Sequence, residues 1–323
     1  MLSIQREITR NLVVTASYVG NQGHRLLTLV SVNVGNPELC LSLPGCGPFG
    51  EDGTYTNSSG RTVQGTRIGQ GPAYGNNTAD KSIANSNYNA LQTTLKYQHA
   101  GSSFLLSYTY SKSIGQGSNL GEQLDPIDPR HSRAISAYDM KHDFVATYSV
   151  ALPLERLLHH ANRWTSNWSL SGTTRFASGL PVTLSDNSDS SLLGTLGNGA
   201  NNFLIDTPRY IPGDLRINKN ARNGTPAFNT ASFPDEILGQ LGNAKRRIFY
   251  GPGINNYDAS LQKSIRIHDS TSLDLRFEGF NVFNHAQFFG PAAVDGQKQD
   301  PAFGTIVSAA APRLVQLAVK LAF

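Results

Sequence analysis

Pro-Arg-Leu-Val-Gln-Leu-Ala-Val-Lys-Leu-Ala-Phe, residues Pro312–Phe323, alternates without a break. Val315, Leu317, Val319, Leu321 and Phe323 fall on one side of an extended chain; Gln316, Ala318, Lys320 and Ala322 fall on the other. Successive side chains of a strand point to opposite faces, so this spacing predicts a β-strand with one apolar face.

The same period recurs upstream. Tyr257, Ala259, Leu261, Ile265 and Ile267 oppose Asp258, Ser260, Gln262, Ser264, Arg266 and His268, with Lys263 as the one exception. Leu273, Leu275 and Phe277 oppose Asp274, Arg276 and Glu278, and a bulge is expected at Gly279, where the phase slips. Further stripes are Leu91, Leu95 and Tyr97; Phe104, Leu106, Tyr108 and Tyr110; and Phe144, Ala146, Tyr148, Val150 and Leu152. Trp164, Trp168, Leu170 and Phe176 make another, as do Leu12, Val14, Ala16 and Tyr18, and more weakly Leu2, Ile4 and Ile8. The count is about nine strands.

Their connections alternate in length. Short links are expected near Thr9–Asn11, His99–Ser102, Glu155–Arg163 and Asp269–Thr271. Long ones, rich in Gly, Asn, Ser and Pro, cover roughly Leu27–Asn87, Gly115–Lys141, Gly179–Asn255 and His285–Pro312. Loops of that length are uncommon in compact soluble domains. Short turns on one side and long loops on the other are the habit of an antiparallel transmembrane β-barrel, whose strands of about ten residues, tilted about 45°, span about 25 Å. The expected fold class is therefore all-β: part of a barrel with short periplasmic turns and long extracellular loops.

Composition agrees. Of 323 residues, 39% are hydrophobic and 15% charged, with 31 Gly, 12 Tyr and 15 Phe. This suits a β-rich chain with many turns and excludes a disordered one. No apolar run reaches the roughly 18 residues of a membrane-spanning helix, and barrel strands need none. The net charge of +4 is scattered, so no nucleic-acid partner is expected. Cys40 and Cys46, in Cys-Leu-Ser-Leu-Pro-Gly-Cys, favour a local disulfide in an oxidising compartment; with no neighbouring His they are too few for a metal site.

An ordered set of blocks carries a family resemblance: Ser17–Leu26 (SYVGNQGHRL), Tyr88–Gln98 (YNALQTTLKYQ), Ser107–Ile114 (SYTYSKSI), Tyr138–Leu154 (YDMKHDFVATYSVALPL), Asn255–Ile267 (NNYDASLQKSIRI), Leu275–Phe288 (LRFEGFNVFNHAQF) and Pro312–Phe323. Across nearly its whole length the chain resembles the C-terminal barrel of TonB-dependent outer-membrane transporters, most closely the Oar-like group. The resemblance implies a Gram-negative-type outer membrane, uptake of a bulky nutrient, and a complete barrel of about 22 strands of which residues 1–323 supply the last nine or so. It also implies a signal peptide, a plug and a TonB-contacting box in an N-terminal part not visible in this sequence, through which the TonB complex would act. Outer-membrane lipid, the barrel-assembly machinery and an unidentified nutrient are the implied partners. In such a family the terminal stripe Val315, Leu317, Val319, Leu321 and Phe323 is also the assembly signal.

Few residues suggest chemistry. Asp274, Arg276 and Glu278 share a face and are lumen-lining candidates for substrate or plug contact, although cross-strand charge pairing inside a wet barrel is the favoured account of them. Asp128, Arg130, His131, Asp139, His142 and Asp143 make a polar group around a strand start, read as a hydrogen-bonded loop for want of ligand spacing or a nucleophile. The Gly-rich GNGAN at 197–201 lies in a long loop rather than between a strand and a helix, and no nucleophile elbow or phosphate loop occurs. No catalytic residue and no cofactor is expected. Two other classes fit the pattern: a non-energised porin or adhesion barrel, and a soluble secreted β protein.

Overall fold

The structure, a computed structural model, describes residues 1–159, 161–195, 206–215, 217–218, 221–268 and 271–323. Its strands are β1 (Leu2–Thr9), β2 (Leu12–Ser31), β3 (Thr54–Thr56), β4 (Thr62–Gln64), β5 (Thr78–His99), β6 (Ser102–Gly115), β7 (Ala134–Ile135), β8 (His142–Leu152), β9 (Trp168–Ala177), β10 (Ile254–His268), β11 (Thr271–Phe280) and β12 (Leu314–Ala322). Two short helices, α1 (Pro37–Ser42) and α2 (Leu154–Leu157), lie in connections.

Nine long strands form one antiparallel wall in the order β1-β2-β5-β6-β8-β9-β10-β11-β12, with β7 paired to β6 and β3 paired only to β4. Each long strand pairs with the next long strand along the chain, whether the connection between them is short or long. Because residues directly opposite in an antiparallel pair share a face, the register can be followed across the whole wall. Val14, Leu95, Leu106 and Ala146 stand in one row. Val150, Leu170, Leu261, Phe277 and Leu317 stand in another. On the opposite face runs Ser103, Ser149, Ser171, Ser260, Glu278 and Gln316. One face is thus an apolar band and the other is hydroxyl-rich. The band is not covered by protein: Leu317 is 74% and Val319 72% exposed.

Aromatic side chains border the band. Near the short turns, Tyr97 and Phe104 lie side by side with ring centroids 6.1 Å apart. Near the long loops, Phe176 meets Tyr257 edge-on at 5.5 Å, and Tyr257 meets Phe283 at 4.9 Å. Such girdles frame the apolar band of a barrel.

Several sequence expectations need correction. The phase does not slip at Gly279, which pairs in register with both Ala259 and Val315; β11 simply ends one residue later. The bulges lie elsewhere, between Glu7 and Thr9, between Gly23 and Leu27, and between Arg266 and His268. Trp164 is outside any strand, because the chain from 153 to 167 turns before β9 starts at Trp168. The connection expected over Leu27–Asn87 is shorter at both ends: β2 runs on to Ser31 and β5 begins at Thr78. Polar residues such as Lys81 and Asp80 hid that extension. Among the short links, Asp269 and Ser270 lie outside the described residues, as does the GNGAN segment.

The long connections fold together into a cap. Its core is Val182, Leu184, Ala221, Ala227, Phe228, Phe233, Ala244, Phe249 and Val294, drawn from the β9–β10 and β11–β12 connections. Phe228 is central, with ring centroids 4.9 Å from Phe249, 5.4 Å from Phe303 and 5.5 Å from Phe233. The Cys40–Cys46 disulfide closes the end of α1 in the β2–β5 connection. A buried ion group joins the β6–β8 and β9–β10 connections: the Glu122 carboxylate accepts from Arg247, with Arg246 Nη1 3.4 Å away. Arg246 Nη2 also donates to the Gln123 carbonyl at 2.7 Å. Burial alone would raise the Glu122 carboxyl; the hydrogen bond and charge of Arg247, then Arg246, outweigh it and hold it below its ordinary value.

Removing one member of a buried ion group strands the others without a partner, at a cost of about 3–5 kcal/mol. Glu122→Ala therefore loosens the cap. In hydrogen exchange, residues 116–133 and 245–250 lose protection while the strand amides of β8 and β9 keep theirs.

Candidate functional site

The polar face of the wall collects the residues singled out in the sequence. Asp274 pairs across the ladder with Ser264 and Lys320, Arg276 with Gln262 and Ala318, and Glu278 with Ser260 and Gln316. Arg276 Nη1 lies 3.5 Å from Glu278 Oε1. With the Gln262 amide oxygen turned toward the guanidinium, it accepts from Arg276 Nη2 at 2.7 Å and Nε at 3.0 Å. These charges serve one another along the wall and leave Lys320 beside Asp274.

Two clefts open on this face. One, of about 430 Å³, is lined by Ser103, Thr147, Ser149, Ser171, Thr173, Asp258, Ser260 and Glu278, with Phe280 at one margin. The other, of about 320 Å³ and nearer the cap, is lined by Tyr88, Gln92, Thr109, Ser111, Ser113, Tyr138, Asp139, Met140 and Asp143. Small hydroxyls dominate both walls, because β8 and β9 place Thr147, Ser149, Ser171 and Thr173 at consecutive same-face positions. Hydroxyls that both donate and accept, with a few carboxylates, suit polar solutes.

The polar group expected around the start of β8 does not converge. His131 Nδ1 lies 3.2 Å from Asp125 Oδ2. Asp128 accepts from the Arg130 backbone N–H at 3.0 Å. His142 Nδ1 and the Tyr108 hydroxyl are 2.8 Å apart. Asp143 accepts from Arg175 Nε at 3.0 Å and Nη2 at 3.1 Å. Asp139 accepts from the Ser113 N–H at 2.6 Å and from the Tyr250 hydroxyl at 2.5 Å. Burial and the Asp139 carboxylate hold the Tyr250 phenol well above its ordinary value. Among the described residues no group of three or more His, Cys, Asp or Glu side chains is placed to hold a metal ion.

What sequence reasoning missed is a set of carboxyls buried in the cap. Glu51 is 2% exposed and Asp189 fully buried. Asp189 accepts from the Phe49 N–H at 2.7 Å and the Gly194 N–H at 3.0 Å, so it ties the β2–β5 connection to the β9–β10 connection. The fit is tight: a Cβ on Gly194, which sits at φ +58°, would meet Glu51 Cγ at 2.7 Å and Glu51 Oε2 at 2.8 Å. Burial, a hydrogen bond with Asp189 and its charge push the Glu51 carboxyl up to about 8. Asp206, which accepts from the Ser191 hydroxyl at 2.6 Å, is pushed up to about 7 by burial and the charges of Asp189 and Asp186. No spacing in the sequence could reveal this, since Glu51 and Asp189 stand far apart in the chain.

A family model described as an outer membrane beta barrel domain matches residues 1–316. Among solved structures, the chain is similar to the outer membrane transporter YddB from Escherichia coli, at 10% sequence identity and a TM-score of 0.48. That match covers 99% of this chain and 32% of the transporter, so the chain spans about a third of its length. Comparison with curated proteins finds no match. No helix among the described residues is long and apolar enough to cross a membrane.

The Glu51–Asp189 junction makes the cap pH-dependent. Folding raises the Glu51 carboxyl from 4.5 to about 8, so the folded cap binds the extra proton. Stability is then full below about 4.5 and falls as pH rises toward about 8, because deprotonation leaves a charge in a buried site and removes the hydrogen bond with Asp189. Proteolysis within residues 186–195 speeds up across that window. Glu51→Gln, which keeps a donor toward Asp189 at every pH, flattens the profile; an unchanged profile in this variant would assign the dependence to another group such as Asp206.

Proposed function

The chain belongs to the outer membrane beta barrel domain family and resides in the outer membrane, and from that premise we propose that it is the barrel portion of a TonB-dependent transporter that takes up a bulky nutrient. The observation that carries the reading is the two-faced wall. Its apolar band meets lipid, its hydroxyl-rich face with Asp274, Arg276 and Glu278 lines the lumen, and all its long connections gather into one cap on the outer side. Transport through such a barrel needs binding and sieving, not catalysis. The resemblance of the strand blocks to the Oar-like group supports TonB as the energy source.

Closure supports a larger barrel. β1 and β12 are the edges of the wall and both run toward the short-turn side, so joining them directly would give a parallel pair. An antiparallel closure takes an odd number of further strands between them, and unpaired backbone cannot face lipid. The complete barrel in this reading has about 22 strands, with a plug that contacts the TonB complex. The barrel-assembly machinery would read the terminal stripe Val315, Leu317, Val319, Leu321 and Phe323.

Two measurements test these roles. Cells carrying the protein are given labelled ferric siderophores, oligosaccharides and peptides, with and without TonB. Accumulation of one class that falls to background without TonB is the expected result; accumulation indifferent to TonB would make the protein a non-energised pore. Separately, deleting Phe323 is expected to lower outer-membrane yield several-fold with no change in synthesis, by cell fractionation and heat-modifiable gel migration. Full insertion of the truncated protein would remove the assembly role from that residue.

A further inference from the structure

Residues 153–167, between β8 and β9, form the longest connection on the short-turn side. The β1–β2 and β5–β6 strands there are joined by only two residues each. The end of the longer connection, residues 164–167, lies against the outer wall. Lys263 belongs to the apolar face by register, opposite Trp168 and Leu275, yet it is only 3% exposed. Its ammonium donates to the Ser166 carbonyl and stands 5.7 Å from the Trp168 ring centroid. Trp168 Nε1–H donates to the Trp164 carbonyl at 2.7 Å, and the Ser264 N–H donates to the Asn167 carbonyl at 3.1 Å. The one cation on the outer face of β10 is thereby used up in holding residues 164–167 against that face.

The remainder of the connection is apolar and basic at once. Leu157, Leu158 and Trp164 are 73%, 59% and 66% exposed. Arg156 and Arg163 are exposed, and neither makes an ion pair among the described residues. Glu155 is the sole acid between 153 and 167. In water such a surface has no reason to stay open. At the boundary between acyl chains and phosphates each part finds its solvent: leucine and tryptophan reach inward, and arginine stays at headgroup level. The patch continues the apolar band at Leu152 and Trp168, which pair across the ladder.

We propose that residues 153–159 and 161–167 form a phospholipid-binding turn, in which Leu157, Leu158 and Trp164 enter the edge of the leaflet nearest the short turns while Arg156 and Arg163 bind the phosphates of anionic headgroups. The proposal rests on outer-membrane residence alone and is independent of the transported solute and of TonB. It also gives Lys263 a positioning role: the ammonium fixes the turn and leaves the headgroups to the two arginines.

Residues 1–323 contain two tryptophans, Trp164 and Trp168, and the comparison with Trp164→Phe isolates the first of them. Wild-type protein and Trp164→Phe are reconstituted in phosphatidylcholine vesicles whose acyl chains carry bromine near the headgroup, with and without phosphatidylglycerol. Preparations are used in which the Trp168 emission of Trp164→Phe is quenched, which certifies an inserted wall. The difference between the two proteins is then the emission of Trp164. The expected result is blue-shifted, quenched Trp164 emission, with the quenched share rising when phosphatidylglycerol is present. Replacing each arginine by glutamine should shift the balance between seated and free turn by about fivefold, and the double variant should lose the phosphatidylglycerol response. Trp164 emission at the wavelength of a water-exposed indole, unquenched while Trp168 is quenched, would overturn the proposal and leave the turn to the periplasm or a protein partner. Quenching that ignores phosphatidylglycerol and both arginine variants would overturn it as well, by reducing the turn to an unselective apolar contact.

Discussion

The backbone ladder from β1 to β12 is the constraint on which the rest depends. Lipid offers no hydrogen bonds, so every N–H and C=O within the band must be answered by a neighbouring strand. The ladder also has to stay in phase. A slip of one residue at any interface would turn every side chain beyond it from one face to the other. The placement of the irregularities fits that demand. The bulge after Glu7 and the one after Arg266 sit beside short turns, and those between Gly23 and Leu27 lie on the loop side of the band. Between these limits the pairing of β2, β5, β6, β8, β9, β10, β11 and β12 is continuous.

The wall was legible in the sequence because its information is local. Period two over eight to ten residues names the strand, its faces and its neighbour, and residues such as Leu317 or Ser260 need no distant partner to be placed. Length was less legible where the strand leaves lipid. Along Leu27–Ser31 and Thr78–Ile83 neither face must be apolar, so the alternation fades although the pairing continues. Gly279 shows the opposite error: a broken pattern at a strand end imitates a bulge. Trp164 shows a third, in which an aromatic at the right spacing belongs to a turn.

The cap was illegible because its information is distant. Phe228 gathers Phe233, Phe249 and Phe303, and Glu122 meets Arg246 and Arg247, across connections that have no periodicity of their own. A carboxylate in a Gly- and Asn-rich loop reads as solvated. Here Glu122, Asp189 and Asp206 are all buried, each held by donors that the fold delivers from elsewhere. The candidate site divides the same way: Asp274, Arg276 and Glu278 could be named from the sequence as one face of one strand, whereas the hydroxyl clefts require neighbouring strands in register.

Wall and cap meet where β2 and β5 rise above the band. The two strands stay paired as far as Ser31 and Thr78. Above the band Val30 of β2, Ala84 of β5 and Leu124 of the β6–β8 connection are buried together, and the Ser31 hydroxyl donates to Gln123 Oε1 at 2.8 Å. Gln123 neighbours Glu122, whose carboxylate holds the arginines of the β9–β10 connection. From ladder to buried ion group the path is made of paired backbone, buried side chains and charge-assisted bonds. Packed interiors of this kind shift between discrete arrangements rather than bend gradually. The β2–β5 pairing and the buried ion group are therefore joined by direct contacts through Ser31, Gln123 and Glu122.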